Sequence, residues 1–352
     1  MFLYIIEIMK GQKRGLISYL LIPLLFFISM FWKLAISLKN WGYSLNVFKQ
    51  KKMKLYVIGI GNITAGGTGK TPLTIFLANQ LTDPFAVIAR GYKSNVKSDV
   101  VLANESSVFQ EIGDELLIIK KRFPFSTVLA SKDRKKAIEY VEKNNIPIVI
   151  LDDAMQYRKI KKDLEIVVLN NKDPWGRGHF LPYGFLREPK KSLQRADLIV
   201  VNHVDKDISS LKKEIRKYSK ANIVCFKHVV KSFKDINKNK RELKSNKIAA
   251  FCAIANPEYF FSSLKELGFE IILSLKLLDH EPIDNKKLSV FVDKAKEQGA
   301  NYIVCTEKDI VKIDKVFQDV VYLEIDLEIV EGQDYWKNMV EKISKNVNKE
   351  GG

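Results

Sequence analysis

The run "LYVIGIG" passes without a break into "NITAGGTGKTP" and then "LTIFLANQL", and this succession restricts the fold more than any other part of the 352-residue chain. The first stretch is short, apolar and β-branched, as a buried strand is. The last has the periodicity of a helix. Between them, glycines let the backbone turn tightly and let successive N–H groups converge on one anion without Cβ obstruction. Strand, glycine loop and helix together make a phosphate cradle, to which the helix adds its positive end. An ATP site is therefore predicted over Thr64, Ala65, Gly66, Gly67, Thr68, Gly69, Lys70 and Thr71. Lys70 is expected to reach the β- and γ-phosphates and Thr71 to place its hydroxyl on Mg²⁺, while Pro72 suits the first helical turn. Thr64 stands where the usual pattern has its first glycine. It also occupies the third glycine position of a dinucleotide fingerprint begun by Gly59 and Gly61, which disfavours that reading. A partitioning-type dimeric ATPase carries lysine where this chain has Ala65.

"IVILDD" puts Asp152 and Asp153 at the carboxyl end of another apolar strand. Carboxylates there can hold Mg²⁺ directly or through water. The strands "FAVIAR", "STVLA", "LEIVVLN" and "ADLIVVNHV" alternate with helical stretches such as "GDELLIIKKRF" and "DRKKAIEYVEKNN". Such alternation predicts an α/β fold, P-loop NTPase-like, with a mainly parallel sheet covered by helices on both faces. Residues 205–247 turn lysine-rich and read as an exposed connection. A second, smaller α/β domain runs from "KIAAFCAI" to "YWKNMVEKISKNV". The expected organisation is an N-terminal membrane-associated helical segment over 1–50, a P-loop nucleotide-binding domain over 51–204, the connection over 205–247 and a C-terminal α/β domain over 248–352.

Residues 15–32, "GLISYLLIPLLFFISMFW", contain no charge. That length is near the lower limit for crossing a bilayer. No small-residue cleavage site follows it, so a removed signal peptide is not expected. Lysines and Arg14 flank the segment on both sides, which gives no orientation preference but suits a helix anchored in the cytoplasmic leaflet over anionic lipid. The formal net charge of +17 also points to an anionic partner. No recognition motif supports nucleic acid. The three cysteines are far apart and, with only four histidines, no zinc spacing forms; buried structural thiols in a reducing compartment are expected.

A nucleotide site does not separate a kinase from a switch or an ATPase acting on a protein partner. Further motifs do. In order they are "GNITAGGTGKTP", "RGY" (90–92), "GDE" (113–115), "DR" (133–134), "LPYGFLREP" (181–189), "NPEYFF", "DH" (279–280) and "TEKD" (306–309). Together with the apolar N-terminus they resemble the tetraacyldisaccharide 4'-kinases, which phosphorylate the lipid A precursor, over nearly the whole chain. The threonine in the loop looks like that family's own variant. One stretch departs: "DDAMQY" stands where the family has D-D-G-F-Q-H, so its histidine role does not transfer to Tyr157. The resemblance implies transfer of the ATP γ-phosphate to the 4'-hydroxyl of a tetraacyl glucosamine disaccharide 1-phosphate, with Mg²⁺, at the cytoplasmic face of a bacterial inner membrane. No obligate protein partner is implied. It makes Asp114 the expected base, with His280 as its partner. Arg90, Tyr92, Glu115, Arg134, Gln156, Arg187 and Glu188 become candidates for holding substrate or anion. Glu307, Lys308 and Asp309 could serve the cleft or cap a helix.

Overall fold

The computed structural model describes residues 2–9, 11, 15–91, 98–279, 281–313 and 317–350. In chain order the first half contains α1 (Phe2–Met9), α2 (Leu16–Ser44), β1 (Tyr56–Gly61), α3 (Lys70–Ala78), β2 (Phe85–Ala89), β3 (Val100–Leu102), α4 (Phe109–Ile112), α5 (Asp114–Arg122), β4 (Thr127–Ser131) and α6 (Arg134–Lys143). Then come β5 (Ile148–Asp152), β6 (Leu164–Asn170), β7 (Leu198–Asn202), α7 (Ser209–Arg216), β8 (Asn222–Asp235) and β9 (Lys240–Arg241). The last part holds β10 (Lys247–Cys252), α8 (Pro257–Glu266), β11 (Glu270–Lys276), α9 (Asn285–Glu297), β12 (Tyr302–Thr306), α10 (Glu307–Ile310), β13 (Val320–Glu331) and α11 (Gln333–Glu350).

Two compact units emerge. The first combines Met1–Phe85, Glu142–Lys227 and Glu328–Gly352; the second combines Ala86–Val141 and His228–Leu327. This division differs from the linear boundaries expected above. The reason is that Ala86–Val141, expected within the 51–204 domain, groups with the second unit, and that the long strands β8 and β13 each pass from one unit into the other.

In the first unit β1 pairs in parallel with β5 and β6, β6 with β7, and β7 with the start of β8. Every residue of β1, β5 and β7 is buried, as parallel strands covered on both faces require. Helix α3 packs on β1 and β5, and α11 on β1. Trp336 of α11 is buried against Phe76 and Phe226, with ring centroids 5.4 and 5.2 Å away, and its indole N–H donates to Gln80 Oε1 at 2.9 Å. Because these strands run parallel, their carboxyl ends share one edge, where α/β sheets place their ligands.

Helix α2 is the one described helix long and apolar enough to cross a membrane, with mean hydropathy 2.0 over its best window. Ser18, Leu25 and Ser29 form a packed stripe, while Leu20, Leu24, Phe27 and Phe31 on its other side are exposed. Its last turns, around Lys39 and Asn40, make polar contacts with the sheet's loops.

In the second unit β4 pairs in parallel with β2 and antiparallel with the short β3. Strand β10 lies parallel to β11 and β12, and β12 to β13; the end of β8 forms an antiparallel hairpin with β9. Ala250, Cys252, Phe260, Leu264, Val304 and Val321 build its core. All three cysteines are buried, and burial pushes the thiols up, Cys225 to about 11 and Cys252 to about 12.

Candidate active site

The phosphate loop leaves β1 at Gly61, where a Cβ would lie 2.6 Å from the backbone nitrogen of Met155. Glycine is needed there for close approach to the loop after β5. Gly66 and Gly69 adopt positive φ, the region L side chains avoid. Thr64 is not among the positive-φ residues. It forms an antiparallel bridge with Leu186, flanked by Ala65 N donating to Phe185 O at 2.7 Å and by Arg187 N donating to Ile63 O at 2.8 Å. The first glycine of the usual pattern is dispensable here because "LPYGFLREP" runs beside the loop as an extended partner and keeps Thr64 extended. Thr64 is thereby buried, whereas Gly66 and Gly67 are exposed and able to meet a phosphate.

Lys70 opens α3, and its Nζ lies 3.6 Å from Asp153 Oδ1. Arg187 grips the same carboxylate with both terminal nitrogens, at 2.7 and 2.9 Å. Two cations thus converge on Asp153 beside the cradle. Asp152, the last residue of β5, lies opposite Ile60 of β1 and is buried. Gln156 donates to Asn62 O at 2.9 Å. Ala154 and Met155, which replace glycine and an aromatic in "DDAMQY", are fully buried, and Met155 takes its place in the apolar core. Glu188 is only 1% exposed and is held by Asn40, Ser192 and Arg195.

Two loop supports escaped the sequence reading. Asn202, fully buried at the end of β7, donates to Thr68 O at 2.9 Å and to Gly69 O at 3.3 Å. Asn62 donates to Thr68 Oγ1 at 3.0 Å. A signal existed for the first: "LEIVVLN" and "LIVVN" both close an apolar run with asparagine, and Asn170 and Asn202 are register partners. Next to Asn202, burial, reinforced by Lys172, presses the His203 imidazole down to about 4. The unfolded chain binds this proton as pH falls through 6.5, but the folded chain refuses it until about 4. Stability is therefore expected to drop as pH falls from 6.5 to 4, and His203→Gln to flatten that slope in denaturant titrations.

In the second unit Gly113, at φ 85°, ends α4 and begins α5, so the "GDE" motif forms the corner between two helices. Asp114 is the first residue of α5 and is 3% exposed. Its Oδ1 accepts from Glu115 N at 2.9 Å, and its Oδ2 lies 3.5 Å from Lys312 Nζ and 4.0 Å from Lys308 Nζ. Lys312 is itself held by Asp309 at 3.1 Å; Asp309 also accepts from Ala253 N and Thr306 Oγ1. Burial works against the Lys308 charge, but Glu115, Asp114, Asp279 and Asp309 outweigh it and raise the ammonium above its ordinary value. "TEKD" therefore does more than cap a helix: with Lys312, it supplies the charges around Asp114. Glu307 faces elsewhere, to Arg122, in a bidentate pair at 2.7 Å. Arg134 starts α6 and is buried, and Arg90 follows β2 and is exposed. His280 and Tyr92 lie outside the described residues.

A parallel sheet with a glycine loop feeding a helix, a lysine at that helix's start and an acid pair on the neighbouring strand defines a P-loop nucleotide-binding protein. The family model for LpxK, tetraacyldisaccharide-1-P 4'-kinase, matches residues 21–344. The chain belongs to this family. A tetraacyldisaccharide 4'-kinase of Halothermothrix orenii is 30% identical, with 89% of this chain and 88% of that one covered. One of Chlorobium limicola is 31% identical, with 91% and 97% covered. The crystal structure of LpxK from Aquifex aeolicus in complex with ATP superposes with a TM-score of 0.73 at 26% identity, covering 90% of this chain and 97% of that one.

Proposed function

We propose that the chain transfers the γ-phosphoryl group of ATP to the 4'-hydroxyl of a tetraacyl glucosamine disaccharide 1-phosphate on a lipid surface. The observation that carries this reading is the paired placement of Lys70 and Arg187 on Asp153, directly beside a loop whose exposed glycines can receive phosphates. When ATP enters, Lys70 exchanges the Asp153 carboxylate for phosphate oxygens and balances the charge that develops on the transferred group. Arg187 keeps Asp153 in place during that exchange. Asp114 accepts the proton of the 4'-hydroxyl as its oxygen bonds to the γ-phosphorus and the bond to ADP breaks. The family resemblance makes His280 the candidate partner of that base. Arg90, which is exposed, is assigned to an anionic part of the substrates, whereas the burial of Arg134 favours a structural place at the start of α6.

Among the described residues no group of three or more His, Cys, Asp or Glu side chains gathers to hold a metal alone. Thr71, Asp152 and Asp153 offer hard oxygen donors, a set that fits an Mg²⁺ taking the rest of its shell from nucleotide phosphate and water. When bound there, the ion would neutralise phosphate charge.

The acceptor's acyl chains stay in the bilayer, so an enzyme resting on that surface meets its substrate in two dimensions. The exposed apolar side of α2, flanked by lysines, suits entry into an anionic leaflet. Use of ATP puts the catalytic residues on the cytoplasmic side of the inner membrane. Replacing Leu20, Leu24, Phe27 and Phe31 by glutamine is expected to release the protein from anionic vesicles. Continued sedimentation with vesicles would move the anchor elsewhere, for instance to the lysines of 205–247. The kinase reading itself is tested by ADP release, which should depend on the lipid acceptor; an equal rate without acceptor would favour an ATPase.

A further inference from the structure

The last turn of α2 does more than end an anchor. Lys39 Nζ donates to Gln156 O at 2.9 Å, and the Gln156 side chain donates to Asn62 O at 2.9 Å. Asn40 Nδ2 donates to Glu188 Oε2 at 2.7 Å, and the Glu188 backbone N–H, with that of Arg187, donates to Ile63 O at 3.2 and 2.8 Å. Two consecutive residues of the apolar helix thus reach two consecutive residues at the entrance of the phosphate loop, each through one intermediary. Asparagine suits its place because one side chain offers a donor and an acceptor. Its amide nitrogen meets the carboxylate, and its Oδ1 accepts from Arg158 at 3.2 Å and Arg195 at 3.3 Å. Its backbone carbonyl accepts from Arg158 as well, at 3.1 Å. A carboxylate as deeply buried as Glu188 needs such hydrogen-bond partners in place of water. The residue before it, Arg187, is the one that grips Asp153.

We infer that Lys39 and Asn40 are positioning residues of the phosphate site: they brace the Asn62–Ile63 entrance of the loop and the Arg187–Glu188 segment against α2. The segment that reaches lipid and the segment that receives ATP are then one rigid connection, and the two roles of α2 are separable by residue. Its exposed apolar side serves the membrane; its final polar turn serves the loop. Loosening the brace displaces Arg187 and the loop from the geometry needed for transfer, and a displacement of about 1 Å in such a site can cost on the order of a hundredfold in rate.

The activity part of the test rests on the kinase reading, whereas amide exchange does not. The full-length chain carrying Asn40→Leu, and separately Asn40→Ser in case the leucine form does not fold, is compared with wild type in three measurements. Sedimentation with anionic vesicles should be unchanged. In detergent, kcat for lipid phosphorylation should fall by about tenfold with little change in KM for the lipid. Hydrogen exchange at the Arg187 and Glu188 amides should quicken, because their bonds to Ile63 O lose their support. Unchanged exchange at these amides overturns the proposal, whatever the activity. So does a fall in kcat that comes only with loss of vesicle binding. If wild type phosphorylates no lipid but the amides still quicken, the brace stands and the kinase reading falls.

Discussion

Asp114→Asn is expected to lower kcat by about 10²- to 10⁴-fold, the range general-base catalysis supplies, while KM for ATP stays near that of wild type. The substitution is chosen because it leaves the surroundings intact. Asparagine keeps the shape at the start of α5 and can still accept from Glu115 N. Lys312 retains its 3.1 Å partner Asp309, so no buried charge is stranded. What is lost is the ability to take a proton. Steady-state kinetics with the lipid acceptor, together with nucleotide affinity, measure the effect. Wild-type turnover would remove Asp114 as the base.

Lys70→Met carries the second large effect. Removing one donor aimed at developing charge typically costs about 10²- to 10³-fold in kcat. Methionine keeps most of the side chain's apolar stem but has no ammonium to bind phosphate oxygens. The bidentate Arg187 continues to hold Asp153, and Asn202 and Asn62 continue to hold the Thr68 end of the loop, so the cradle should keep its form. Comparable melting temperatures with a lost kcat would fit this account. A variant that binds and turns over ATP normally would take Lys70 out of the chemistry.

The parts of the fold that were legible in the sequence are those whose signals are local. The strand, loop and helix around Lys70 occupy neighbouring residues, and apolar runs such as "IVILD" announce fully buried parallel strands. The motif order then pointed to the family. Illegible were contacts between distant residues that carry no pattern of their own. Thr64 departs from the usual loop pattern, but nothing local shows that Leu186, far along the chain, is its partner. Lys312 resembles any lysine after a short helix, yet it is buried against Asp114. Asn40 sits near the end of an apolar stretch whose composition signals lipid, and nothing local signals its bond to Glu188. The linear domain boundaries diverged from the compact units for a related reason: composition changes along the chain, whereas parallel strands gather segments from separate places.

The most direct measurement is the fate of the γ-phosphate. Full-length protein in detergent is incubated with γ-labelled ATP, Mg²⁺ and the tetraacyl disaccharide 1-phosphate, and the lipid is recovered. The account predicts label in the lipid, attached at the 4'-oxygen of the distal glucosamine, with one ADP formed for each phosphate transferred. Label only in free phosphate, with the lipid unchanged, would contradict it.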